Sequence, residues 1–256
     1  MLVLVIAPLA WFALEAYPIG GTGAPAAFEV TQGESMGQVA DAMAAKGIIG
    51  SALAFRLDLD VTGSPTVQPG WYVIPTSSSF SSVKGVLSAG PNASALGVYT
   101  GQTLREIAQN LSGVAGTAFA ERFLALAKEG AIRSPFQPAS GGSLEGLLAP
   151  GLFVISPGET PRTLLRQMER KFEARAGAAG VSPSTTVHGL NAYELLTVAS
   201  IVEKEGYIPR NMPRTATVVY NRLARGTPLQ MDATVEYATG QDGGTVTHAT
   251  EQYPSP

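Results

Sequence analysis

Two glutamates, Glu203 and Glu205, flank Lys204 at the end of an apolar run, Ala199-Ser200-Ile201-Val202. At ~100° per residue, Leu195, Val198, Ala199, Ile201 and Val202 define an apolar stripe; Glu205 falls inside that arc, Glu203 on its margin and Lys204 opposite. A carboxyl group on the buried side of a helix, near the negative end of its macrodipole, is favoured in the protonated form by desolvation and by dipole repulsion. That describes a general acid. The alternative is a pair of solvated charges at a fraying helix end, with Gly206 as a left-handed cap.

A second and a third element must position this pair. After a break at 206–213, Ala216, Val219, Tyr220 and Leu223 recur at helical spacing, and Gly226 supplies a stop. Asp232 is placed as the N-cap of a short third helix ending near Gly240, with Val235 and Tyr237 beyond it. Asn221, Arg222, Gln230 and Asp232 then concentrate polar groups around one helix-loop-helix corner.

The segments ASIVEKE, VVYNRL and LQMDATVEYATG, in this order and spacing, resemble the YceG-like (MltG) family of membrane-anchored endolytic murein transglycosylases. Upstream, Leu144-Glu145-Gly146-Leu147-Leu148-Ala149-Pro150 resembles the family's Leu-Glu-Gly segment before the catalytic domain, so the likeness covers most of residues 95–256. Gly206, Met231 and Ala233 depart from it, standing where many members have Thr, Thr or Ser, and Pro. Tyr253-Pro254-Ser255-Pro256 resembles the start of a further family segment, which implies a truncated copy.

The resemblance implies that Glu205, matching the second glutamate of the family's Glu-Lys-Glu motif, is the catalytic acid. The substrate is then the glycan strand of peptidoglycan, cut at the MurNAc-β-1,4-GlcNAc bond to leave a 1,6-anhydro end, with no cofactor or metal. A conventional glycosidase needs a second carboxylate at ~5 Å or at ~6.5–9.5 Å; Asp232 and Glu203 are the nearby candidates and are read as structural or orienting groups. Gln230, Asn221 and Tyr237 are candidate donors to sugar hydroxyls or N-acetyl groups, and Arg222 is equally a salt-bridge partner for Glu203 or Asp232. Two readings compete: a non-catalytic peptidoglycan-binding or scaffolding protein of wall synthesis, and a hydrolase using water.

The fold expected is α+β, with a small LysM-like αβ module over 28–94 and a mixed catalytic domain over 95–256 whose active-site region is helical. A net charge of -3 with 17 Lys plus Arg gives no basic field for nucleic acid. Cysteine is absent, and His188 and His248 lie far apart, which disfavours zinc or a histidine triad and reads both as surface or loop residues. Residues 1–14 are almost wholly apolar but shorter than the ~20 residues of a spanning helix. A core element or a signal-peptide segment would fit; the reading preferred is the outer part of a partial membrane anchor over 1–17, followed by a linker over 18–27. That anchor places the chain at the cell's inner or plasma membrane, single-pass, with the catalytic domain outside the cytoplasm and wall synthases as partners.

Three times an extended segment passes through Gly-(Glu/Gln)-(Ser/Thr) into a helical pattern, at Gly33, Gly101 and Gly158. Ser35 and Thr103 are N-caps in the first two. Within the module, Pro69-Gly70-Trp71-Tyr72 begins a strand expected to pair with the first one. Trp71 and Tyr72 are possible sugar platforms, although alternation sends them to opposite faces and at least one into the core. The serine-rich stretch 76–82 reads as a flexible connection.

Overall fold

The computed structural model describes residues 2–206 and 208–240, with side chains from residue 7 onward. Among these the fold is mixed α+β, ten α-helices with three two-stranded sheets, and the chain divides into two compact units. His248 and 253–256 lie outside the described residues.

The first unit comprises residues 1–97, 113–116 and 152–160. Strand β1 (Pro25–Val30) pairs antiparallel with β2 (Gly70–Pro75), Phe28 facing Tyr72 and Val30 facing Gly70. Between them run helices α2 (Met36–Ala45) and α3 (Ala52–Thr62), and α4 (Phe80–Ala89) follows. Ser35, Ser51 and Ser79 each accept a hydrogen bond from the amide three residues on, so every one of these helices carries its own N-terminal cap. Val39, Met43, Phe55, Leu59, Phe80, Val83 and Leu87 bury the inner faces, with Phe55 edge-on to Phe80 at 5.2 Å.

Tyr72 is fully buried, stacks on Phe28 at 5.6 Å and donates its hydroxyl to the Gln68 carbonyl at 2.8 Å. It is therefore a core residue and not a sugar platform, as alternation requires of one member of the pair; Trp71 is half-buried. The stretch 76–82 is an ordered turn, not a flexible connection. Ser78 is buried and donates to the Pro75 carbonyl at 2.7 Å, while Ser79 caps α4. The serines are there to satisfy backbone groups.

Helix α1 (Leu2–Ala16) puts Phe12 and Ala16 into the same core, with Phe12 edge-on to Phe80 at 6.2 Å, and leaves Leu9, Trp11 and Leu14 exposed. Among the described residues no helix is long and apolar enough to cross a membrane. A second sheet of this unit joins β3 (Ser94–Val98) to β4 (Gly151–Ile155).

The second unit holds most of α5 (Leu104–Ala115), α6 (Thr117–Lys128), α7 (Pro161–Ala178) and everything after it. Leu104, Ile107, Leu111, Phe123, Leu126, Leu164, Leu165 and Met168 are buried, and α6 packs against α7. The long connection from α6 to β4 is held by its own contacts. The Gln137 amide donates to the carbonyls of Gly142 and Ser143, Arg175 donates to Pro150, and Leu144 and Leu147 are buried. A hairpin, β5 (Thr186–Val187) and β6 (Leu190–Asn191), turns at His188-Gly189 and leads into α8 (Ala192–Glu205), α9 (Met212–Ala224) and α10 (Asp232–Thr239).

The repeated turn takes the same form at two sites. Gly33 and Gly101 have φ of 82° and 75°; the Thr31 amide donates to Glu34 at 2.8 Å and the Tyr99 amide to Gln102 at 2.8 Å. Ser35 with Gln38 and Thr103 with Glu106 then close reciprocal capping boxes.

Candidate active site

Helix α8 starts at a reciprocal cap of Asn191 and Glu194 and buries Val198 and Val202 against Val219 of α9. Leu190, Ile201, Met212, Ala216, Tyr220, Leu229 and Met231 pack around these three valines. The row Val198, Val202, Gly206 continues at i, i+4, and Gly206 is buried. A Cβ at Gly206 would press on the Val202 carbonyl oxygen and lie 2.9 Å from Met212 Cγ, so a side chain here requires the end of α8 and Met212 to shift. Its φ is -82°, so the expected left-handed cap is replaced by a close approach of backbone to a neighbouring helix.

Glu205 is the last residue of α8 and is exposed, which corrects the expectation of burial. The helical wheel gives direction but not depth. Glu205 lies on the same side as Val198, yet the valine core ends at Val202 and Val219, so the helix end overhangs it. What Glu205 meets is α10: its Oε1 accepts the Ala233 amide at 3.0 Å. Asp232 is the first residue of that helix rather than its N-cap. Met231 occupies the cap position and makes no side-chain cap hydrogen bond. A carboxylate from α8 thus satisfies an otherwise unpaired donor of the first turn of α10, where the helix dipole also favours negative charge.

Arg222 Nη1 donates to the Leu229 carbonyl and fixes the 225–231 loop; among the described residues it pairs with neither Glu203 nor Asp232. That loop brings Gln230 next to the cap, in a left-handed conformation with φ of 49°. Glu203 and Asn221 are exposed, and their side chains make no hydrogen bond among the described residues. Glu205, Gln230 and Asp232 therefore form one corner, with Arg222 behind it. Glu203 and Asn221 stand on the outer surfaces of α8 and α9. His188 sits in the exposed hairpin turn, its ring 5.0 Å from that of Tyr220.

Tyr237 is exposed on α10, beyond the end that meets Glu205, and burial of its hydroxyl, then the charge of Glu145, then Tyr193, push the phenol up. Glu145 lies between the buried Leu144 and Leu147, and its Oε1 accepts the Leu104 amide at 3.0 Å. Burial raises this carboxyl above the usual range, against the lowering effect of that amide. Arg105 lies at the far end of α10, where a Cβ on Gly240 would come 2.9 Å from its Nη1. The sequence reading used Glu145 only as part of the Leu-Glu-Gly segment and did not single out Arg105. A glutamate inside the apolar run Leu144-Glu145-Gly146-Leu147-Leu148 was the available signal for the first.

A model of the YceG-like family matches residues 28–256. The endolytic murein transglycosylase of Streptococcus pneumoniae serotype 2 (strain D39) is 26% identical over 248 residues, covering 86% of this chain and 44% of the relative. That of Bacillus subtilis (strain 168) is 23% identical over 243 residues, covering 89% and 67%. The chain thus spans less than half the length of the pneumococcal relative. A crystal structure of a yceG-like protein from Listeria monocytogenes superposes with a TM-score of 0.58 at 20% identity, over 91% of this chain and 81% of that one, a likeness of fold. With the family model matched over nearly the whole chain, and the Glu205 corner lying inside the match, this chain belongs to the YceG-like family.

Proposed function

We propose that the chain carries the catalytic machinery of an endolytic lytic transglycosylase, a lyase acting on peptidoglycan glycan strands at the MurNAc-β-1,4-GlcNAc bond. The observation that carries the reading is Glu205: within a chain of this family, one carboxylate ends α8 in an exposed corner, oriented by a neighbouring amide. With Oε1 engaged by Ala233, Oε2 is the oxygen left free to exchange a proton with the substrate. Glu205 gives this proton to the glycosidic oxygen as the bond to muramyl C1 breaks. The muramyl C6 hydroxyl oxygen then bonds to C1, and its proton returns to Glu205. One group serves as acid and then base, and no water is consumed. Gln230 and Asp232 line the approach and orient sugar hydroxyls, Arg222 holds their loop, and Glu203, Asn221 and Tyr237 are outer contacts to the strand.

The other parts of the reading rest on the first unit. We assign 28–94 to a LysM-like module that holds the strand, with Trp71 as its candidate aromatic, and α1 to the outer part of a membrane anchor, supported by the exposed Leu9, Trp11 and Leu14. Cell-wall synthases are the partners this placement suggests. A second reading, a non-catalytic glycan-binding scaffold, draws on the same corner: an exposed Glu205 used as the cap of α10 needs no chemistry to explain it.

Glu205→Gln separates the two. The amide oxygen still accepts from Ala233, so the circular dichroism spectrum is expected to be unchanged, while release of anhydro-ended fragments from purified strands, read by mass spectrometry, falls by about 10²–10⁴-fold. Near-normal release by the variant would sink the assignment. Reducing ends in place of anhydro ends from the unaltered protein would make it a hydrolase.

A further inference from the structure

The structure assigns a second sugar subsite to the corner where α10 ends against the start of α5: Tyr237, Arg105 and Glu145 take a flanking N-acetylhexosamine unit of the strand whose bond Glu205 addresses. This rests on the glycan-strand reading above and extends it along the helix. Helix α10 has the Glu205 carboxylate on its first turn and the Arg105 guanidinium at its C-cap, Gly240. From Ala233 to Gly240 the helix rises about 10 Å, and from Ala233 to Tyr237 about 6 Å. That is the scale of one to two linked pyranose rings, so a strand lying along α10 with its scissile bond at Glu205 presents its next unit to this corner.

The three side chains are chemically suited to such a unit. Tyr237 is 60% exposed, which leaves ring surface open for the C–H face of a pyranose. Glu145 is anchored through one oxygen on the Leu104 amide, so its carboxyl is fixed in place while retaining acceptor capacity. Arg105 is exposed and makes no ion pair among the described residues, although Glu145 and Glu106 both lie nearby. Facing the C-terminal end of α10, it is held by the helix dipole and keeps planar donors for sugar oxygens. An aromatic face beside a fixed carboxyl and a guanidinium supplies apolar stacking, acceptors and paired donors, which is what a hydroxyl-rich ring with one acetamido group requires.

The experiment uses the N-acetylglucosamine tetramer as probe, followed by amide chemical shifts of 233–240 so that binding elsewhere on the chain is not counted. In the unaltered protein these signals are expected to move on titration. Tyr237→Ala should weaken the binding they report at least tenfold, and Arg105→Ala about threefold or more, with Tyr237→Phe within about threefold because the ring is kept. On strands, Tyr237→Ala should raise KM about tenfold and leave kcat within about threefold. Both residues are exposed, so folding is not at risk. Unmoved signals in the unaltered protein, or unweakened binding in both alanine variants, would overturn the subsite. Failure of the catalytic reading looks different: Glu205→Gln would then turn strands over normally while the losses at Tyr237 and Arg105 remain.

Discussion

Helices α2, α3 and α4 of the first unit each begin at a serine whose hydroxyl accepts an amide of the first turn, whereas α9 and α10 begin at Asn211 and Met231 with no side-chain cap of their own. The burial differs in the same sense. The first unit closes over Phe55, Tyr72 and Phe80, while the α8–α10 corner is held by three valines, and α10 buries no residue fully. Where every helix carries its own cap and its own apolar face, the fold is encoded locally and is stiff. In the corner, order depends on side chains that reach backbone groups outside their own helix, chiefly Glu205 on Ala233, 28 residues away, with Arg222 on Leu229 closing the loop between α9 and α10, and polar side chains stay exposed. Sites that must admit a long polymer are drawn from such thinly packed regions.

The largest effect that tests the contrast is a cavity. Phe80→Ala removes a ring that touches both Phe12 and Phe55 and is expected to cost about 3–5 kcal/mol in denaturant unfolding. Val219→Ala, at the centre of the corner, removes two carbons and should cost about 2 kcal/mol. Hydrogen exchange on α2–α4 and on α8–α10 reads the two separately. Equal losses of protection from the two changes would mean the corner is as tightly built as the first unit.

The second unit also retains a buried carboxyl. Glu169 on α7 is 4% exposed, and its Oε1 is buried with no hydrogen-bond partner. Burial pushes this group from 4.5 to about 7; Ser134 and Arg170 oppose the rise, and Glu173, one turn on, adds to it. Because the folded value is raised, its contribution is fully present below about 4.5 and is lost as pH climbs through about 7. Protection of α7 should therefore fall between pH 5 and pH 8. In Glu169→Gln that slope should flatten, and stability at pH 8 should rise by about 1–3 kcal/mol, the cost of an unsatisfied buried group. An unchanged slope would place the titrating group elsewhere.

What the sequence made legible divides along the same line. The serine and threonine caps and the repeated glycine turn are carried by residues within a few positions of one another, and short-range chemistry suffices to read them; the pairing of β1 with the Pro-Gly-aromatic strand spans 40 to 50 residues and was legible only through the resemblance to a LysM-like module. The corner is different. Periodicity gave the direction of Glu205 correctly but not how far the core reaches, because covering depends on α10, whose contact is 28 residues away. Asp232 has the residue type of an N-cap, yet the Thr234 and Val235 amides that such a cap would take donate to the Met231 carbonyl, so the helix starts one residue earlier. Arg222 had two carboxylates as candidate partners in the sequence, Glu203 and Asp232, and the loop carbonyl of Leu229 prevailed over both. The surroundings of Glu145 went unread because the groups it meets, Leu104 and Tyr237, lie on other elements.

The smallest expected effect concerns backbone strain, and it sets one residue of each region side by side. Ser77 in the first unit and Gln230 in the corner both have left-handed φ, 55° and 49°, a conformation that costs a residue with a Cβ roughly 1–2 kcal/mol. Part of any gain from glycine is offset by the greater freedom of its unfolded chain, so each glycine variant should stabilise by up to about 1 kcal/mol. Ser77 answers to local turn chemistry, its amide bonded to the Gly47 carbonyl at 2.9 Å, so Ser77→Gly should leave strand cleavage unchanged. Gln230 is exposed beside the Glu205 cap, where no packing rewards a glutamine over a glycine. If its amide orients the strand, Gln230→Gly should gain stability while losing about tenfold in kcat/KM, a loss on the scale of one hydrogen bond. Strain retained at the cost of stability would then be a property of the site. A Gln230→Gly variant that gains stability and keeps full turnover would remove Gln230 from the site and leave its strain as unexplained as a loop residue's.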